Sequence, residues 1–113
     1  MHEMALTRSV VSIVEEAARG AEAARVIRVR LEVGALSHAE PEAIRFCYEV
    51  CARGTLAEGA VLEIPRPPGR AWCWDCSADV AVPDRLAGCP RCGGHRLAVT
   101  GGEELRVKDL EGA

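Results

Sequence analysis

The sequence predicts an α+β fold: two helices packed on a small three-stranded sheet, with a cysteine-rich unit inserted before the last strand. Three observations lead there. Two stretches repeat apolar residues with the helical period, at 4–19 and from Pro41 onward. Three short stretches alternate apolar and polar residues as half-buried strands do. Between the second and third of these, Cys73-Trp74-Asp75-Cys76 and Cys89-Pro90-Arg91-Cys92 are separated by 12 residues.

The first helix is predicted over 4–19, with Leu6, Val10, Ile13, Val14 and Ala17 as its inward face and Gly20 as its stop. "VIRVRLEV" (26–33) alternates, with Ile27, Val29, Leu31 and Val33 on one face, and Gly34 ends it. The second helix opens at Pro41, because a first-turn proline lacks only an N–H that would find no partner there. Ile44, Cys47, Tyr48 and Cys51 form its inward stripe, widened by Phe46 and Val50, and Gly54 is the expected cap. "AVLEIP" (60–65) reads as a second strand with Leu62 and Ile64 inward. "PRPPGR" (65–70) reads as a stiff connector. "EELRVKDLE" (103–111) reads as a third strand that returns to the first two. The expected domains are therefore 1–66 plus 103–113, and 67–102.

Composition narrows the function. Of 113 residues, 49% are hydrophobic and 4% aromatic, so the core must be aliphatic. The net charge of −3 is dispersed, and Lys108 is the single lysine. Nucleic-acid binding wants clustered positive charge and is not expected. No apolar run approaches a membrane span, and no charged-then-apolar leader precedes the first helix, so a cytoplasmic protein is expected. In that reducing compartment, paired cysteines are more often metal ligands than disulfides.

Two C-x-x-C knuckles at this spacing suit a tetrahedral thiolate site for zinc, in a zinc-ribbon-like unit. Each knuckle aims two sulfurs at one point, and Gly88, Gly93 and Gly94 let the backbone wrap closely. Four sulfurs leave no open position, so the ion is read as structural, and its binding supplies folding free energy. Iron fits the same tetrathiolate geometry. A thioredoxin-like redox pair would have a single C-x-x-C at a helix start. Cys47 and Cys51 are read as buried apolar residues rather than ligands, since Ile44 and Tyr48 share their face, and not as nucleophiles, since no histidine lies near them in sequence.

The chain starts Met1-His2-Glu3. An α-amine, the His2 amide and the His2 ring Nδ1 can chelate one ion in a nearly planar set that suits Ni(II) or Cu(II), with Glu3 adjacent. A bulky histidine at position 2 is expected to hinder removal of Met1. Spacing alone makes this a weak signal.

"MHEMALTRSVV", "VRLEVGALSHAEPEAIRFCYE", the two knuckles and "GGEELRVKDLE", in that order, resemble the hydrogenase nickel-incorporation proteins of the HypA/HybF family. The resemblance runs over nearly the whole chain. It implies that His2 and Glu3 take nickel and that Cys73, Cys76, Cys89 and Cys92 hold structural zinc. It further implies a metallochaperone, not an enzyme, delivering Ni²⁺ to the large subunit of [NiFe]-hydrogenase. The implied partners are that subunit and a nickel-handling GTPase, with urease accessory proteins in some organisms. Glu40, His38 and His95 stand as further ligand positions or as plain surface groups. The rival reading is a zinc-ribbon module that binds protein or nucleic acid.

Overall fold

Helix α1 (His2–Gly20) carries Glu3 in its first turn and Arg19 in its last, the charge order that the helix dipole favours. The computed structural model describes residues 2–113, without the His2 side chain. The buried face of α1 is Thr7, Val10, Val11, Val14 and Ala18. The expected face is thus rotated by about one residue, and Leu6 and Ile13 are exposed. Thr7 explains the rotation. Its hydroxyl donates to the Glu3 carbonyl of its own helix, so a polar residue is buried without an unpaired group. The helix does not stop on a left-handed glycine. Glu22 adopts the left-handed conformation (φ 58°), while Ala23 N–H bonds the Ala18 carbonyl and Glu22 N–H the Arg19 carbonyl. That pattern closes the end of the helix with Glu22 where a glycine is usual.

Strand β1 (Val26–Val33) leads to α2 (Pro41–Ala52) and on to β2 (Val61–Glu63). β1 and β2 pair in parallel, with Val29 opposite Leu62. A parallel pair needs a crossover, and α2 provides it. Ile44, Cys47, Tyr48 and Ala52 are buried along α2. Phe46, expected inward, is 67% exposed, and Cys51 is only half-buried. The last strand, β6 (Leu105–Gly112), lies on the other side of β1, giving the order β2-β1-β6. Arg30 Nε bonds Asp109 Oδ1 at 2.7 Å, and Arg106 meets Glu32 at 2.7 Å, so the two strands run in opposite senses. The return of the C-terminal strand matches the expectation for 103–111.

The second sheet has the order β4-β3-β5: β3 (Gly69–Cys73), β4 (Ala78–Val82) and β5 (Leu97–Gly101). Both pairings are antiparallel, and a register shift marks Arg70/Ala71 against β5. β3 starts at Gly69, inside the stretch expected to be only a connector. Gly69 belongs in a strand here because of its neighbours. A Cβ on it would meet Leu36 Cγ at 2.6 Å and the Val82 carbonyl oxygen at 2.6 Å.

The chain separates into two units. Unit 1 holds the residues through Glu32, Ala39–Pro65 and Arg106–Ala113; unit 2 holds Val33–His38 and Arg66–Leu105. The core of unit 1 is aliphatic, with Val14, Val29, Leu31 and Ile44 almost fully buried. In unit 2, Leu36, Ala71, Val80 and Val82 cluster with Cys73 and Cys89. Close backbone packing supports that cluster. A Cβ on Gly34 would lie 2.1 Å from the Gly102 carbonyl oxygen. Gly102 itself has φ +89°, and a Cβ there would lie 2.5 Å from Gly69 Cα. Arg66 ties the same region by donating to the Val33 and Gly34 carbonyls at 3.0 and 3.1 Å.

Candidate metal centre

The β3–β4 hairpin builds half of a sulfur cage. Cys73 ends β3 opposite Ala78, so the first knuckle occupies the turn itself, where Ser77 is left-handed (φ 51°). The second knuckle lies in the loop before β5. There Cys89 N–H bonds the Gly94 carbonyl at 2.8 Å and Gly93 N–H the Cys89 carbonyl at 2.7 Å, with Gly93 at φ +75°. Gly94 packs closely on the cage: a Cβ there would meet the Asp75 carboxylate, which would have to swing aside, and would lie 3.3 Å from Cys92 Sγ.

The two turns bring all four sulfurs within 4.8 Å of one another. Cys73 and Cys92 Sγ are 3.7 Å apart, and Cys76 and Cys89 Sγ 3.8 Å. A tetrahedron with metal–sulfur bonds of about 2.3 Å has edges of roughly 3.8 Å. The cage therefore has the size and donor set of a four-thiolate metal site. Backbone amides complete it: Arg91 N–H points to Cys89 Sγ and Gly94 N–H to Cys92 Sγ, both at 3.4 Å. Such N–H···S bonds favour thiolate. Burial opposes ionisation of Cys89, but the amides of Cys92 and Arg91, together with the hydrogen bonds of the Cys73 and Cys92 thiols, outweigh it and bring the thiol down to about 7. Cys76 is pushed up to about 12, first by its hydrogen bond with Cys92 and then by burial. Four thiols this close share protons unequally, and a bound cation would displace them. Beside the cage, Arg96 pairs with Asp75 at 2.9 Å.

The other residues singled out in the sequence divide as follows. Glu3 is half-buried in the first turn of α1. Met1 and the His2 side chain lie outside the described residues. The first amides of a helix have no intrahelical acceptor, which leaves those of His2, Glu3 and Met4 unclaimed by the helix ladder. Glu40 is exposed and opens α2 through its backbone, without a side-chain cap bond. His38 and His95 are exposed in unit 2. Cys47 is buried as expected, whereas Cys51 Sγ reaches Met4 Sδ at 3.5 Å. The sequence reading missed that contact because the two residues come from different helices. It also missed the buried Tyr48 hydroxyl, which has no hydrogen-bond partner among the described residues; burial pushes it up to about 12. No described helix is long and apolar enough to cross a membrane.

Fold and cage together define a small metal-binding protein, an α+β unit joined to a cysteine-held β unit. A family model described as "Hydrogenase/urease nickel incorporation, metallochaperone, hypA" matches residues 1–112. The chain belongs to this HypA family. "Hydrogenase maturation factor HypA 2" of Bradyrhizobium diazoefficiens is 55% identical over 111 residues, 98% of both chains. "Hydrogenase maturation factor HypA" of Rhodopseudomonas palustris (strain TIE-1) is 52% identical over the same length and coverage. The solution structure of a HypA protein aligns at TM-score 0.71 and 27% identity, over 100% of this chain and 97% of that one. The solution structure of the Ni metallochaperone HypA from Helicobacter pylori has the same fold, at TM-score 0.69, with 24% identity over 97% of this chain and 96% of that one.

Proposed function

We propose that this chain is a nickel metallochaperone of hydrogenase maturation, acting in the cytoplasm as a carrier and not as an enzyme. The family match over residues 1–112 is the observation that carries this reading. Nickel is its cargo, taken by His2 and Glu3 at the start of α1. The positive end of a helix disfavours a cation, and the Glu3 carboxylate offsets that. An ion held at a chain end exchanges ligands more readily than one enclosed in a core, which suits delivery.

Unit 2 is the zinc domain of the proposal. Cys73, Cys76, Cys89 and Cys92 would hold Zn²⁺, and the sulfur spacing supports that ion. When bound, zinc fixes the fold of a unit with few aliphatic residues. The chain's own contribution is the pair of turns and the amides aimed at sulfur. The proposed partners are the large subunit of [NiFe]-hydrogenase and a nickel-handling GTPase, with urease accessory proteins as a further destination.

A nucleic-acid-binding ribbon is not favoured. Arg70, Arg85 and Arg96 of unit 2 are paired with Asp79, Glu103 and Asp75, so little free positive charge is left for phosphates. The test is delivery. In cells lacking this chain, the hydrogenase large subunit is expected to be nickel-poor, and the wild-type chain to restore its nickel. His2→Ala is expected to fail despite normal folding. Full restoration by His2→Ala would overturn the assignment of the cargo residue.

A further inference from the structure

Thr7 is 1% exposed, on the face of α1 that enters the core of unit 1. Its hydroxyl donates to the Glu3 carbonyl and, at 3.4 Å, to the Met4 carbonyl. Both acceptors belong to the first turn of α1, the turn that carries His2 and Glu3.

A helix's first turn tends to fray, because its residues give up backbone freedom for few hydrogen bonds. Here fraying is opposed twice. If the turn unwinds, its carbonyls move away while Thr7 stays packed in the core. The hydroxyl is then left without an acceptor at a place that water does not reach. A valine in this position would fill nearly the same space and carry no such penalty. The second restraint is a sulfur contact. Met4 Sδ lies 3.5 Å from Cys51 Sγ, so the same turn leans on α2. Helical side chains tilt toward the N-terminus, which sets this contact at the level of the turn's first residues.

We propose that Thr7 is a positioning residue for the cargo site: its buried hydroxyl holds the first turn of α1 in the helical form that takes Ni²⁺. This rests on the reading that His2 and Glu3 carry the ion. Thr7 itself does not touch the metal. A chelate built from successive residues needs their directions set before the ion arrives. Where only a fraction of chains has the turn formed, the apparent affinity falls by that fraction. The lock works from the carbonyl side of the turn. The amides of His2, Glu3 and Met4 stay free of the helix ladder and open toward the chain end.

The test is a pair of substitutions in untagged, zinc-loaded protein, with Ni²⁺ affinity by calorimetric titration and the thermal midpoint measured on each. Thr7→Val removes the hydroxyl and keeps the volume. Its nickel binding should weaken about two- to tenfold, the range of one hydrogen bond, while the midpoint holds or rises. Thr7→Ser keeps the hydroxyl and loses a methyl group. Its midpoint should fall, with nickel affinity within about twofold of the wild type. Before nickel is added, Thr7→Val should also speed hydrogen exchange at the amides of residues 6–8, whose helix acceptors are first-turn carbonyls, and Thr7→Ser should not. Nickel affinity in Thr7→Val equal to or above the wild type would overturn the proposal, and so would affinity that follows the midpoint across the two variants. Failure of the underlying reading looks different. Nickel retained by His2→Ala would remove the cargo site and this proposal with it, whereas nickel lost in His2→Ala but bound normally by Thr7→Val would remove the positioning role alone.

Discussion

The two units of this chain are held by different means. Unit 1 buries branched aliphatic side chains from two helices and a sheet: Val10, Val14, Val29, Leu31, Ile44 and Leu62. Unit 2 has Leu36, Ala71, Val80 and Val82, with two cysteines of the sulfur cage completing the same cluster. Burial of apolar surface suffices for the first. The second relies on its sulfurs and on glycines packed at backbone distance, and without a metal it also encloses ionisable thiols. In the proposed reading a metal therefore has a structural task in the second unit, while the first is held by its aliphatic core.

Metal removal should break this comparison open most visibly. Stripping the cage with a chelator, or Cys73→Ser, is expected to abolish amide-exchange protection across β3, β4 and β5 while β1 and α2 stay protected. Equal loss in both units would show that the cores are not independent. Next in size, Leu31→Ala should cost about 2–5 kcal/mol in a denaturant melt of unit 1, because Leu31 is fully buried and its removal leaves a cavity. The metal content should not change. Gly102→Ala should destabilise unit 2 by at least about 1–2 kcal/mol from its left-handed backbone alone. Its contact with Gly69 would add to that, and the expected readout is a lower thermal midpoint with weaker zinc retention.

The smallest effect is electrostatic. The hydrogen bond and charge of Arg30 hold the Asp109 carboxyl below its ordinary value of 3.8. The ion pair therefore contributes above that value and is lost as pH falls through the lower folded value. Asp109→Asn should flatten the acid limb of the stability profile slightly and leave neutral pH nearly unchanged, because both groups are exposed.

Much of this architecture was legible in the sequence, for reasons that differ by unit. Strand β1 showed itself because Val29, Leu31 and Val33 face one way with charged residues between them. The cage showed itself because two C-x-x-C turns carry their geometry in their spacing. Less visible was whatever depended on a distant partner. The face of α1 was misjudged by one residue because Thr7 satisfies its hydroxyl on its own helix. Phe46 was expected inward on its apolar character, yet α2 turns it to solvent. Gly69 reads as connector until Leu36 and the Val82 carbonyl are set against it. Glu22 gives no sign in sequence of the left-handed turn it makes.

The central claim is a division of labour between a transferable ion at the start of α1 and a fixed one in the sulfur cage. Metal analysis of untagged protein, first loaded with zinc and then offered Ni²⁺, tests it most directly. A single equivalent of each metal is expected, with nickel absent and zinc unchanged in His2→Ala. Nickel retained by His2→Ala, or nickel taken up only as zinc is displaced, would contradict it.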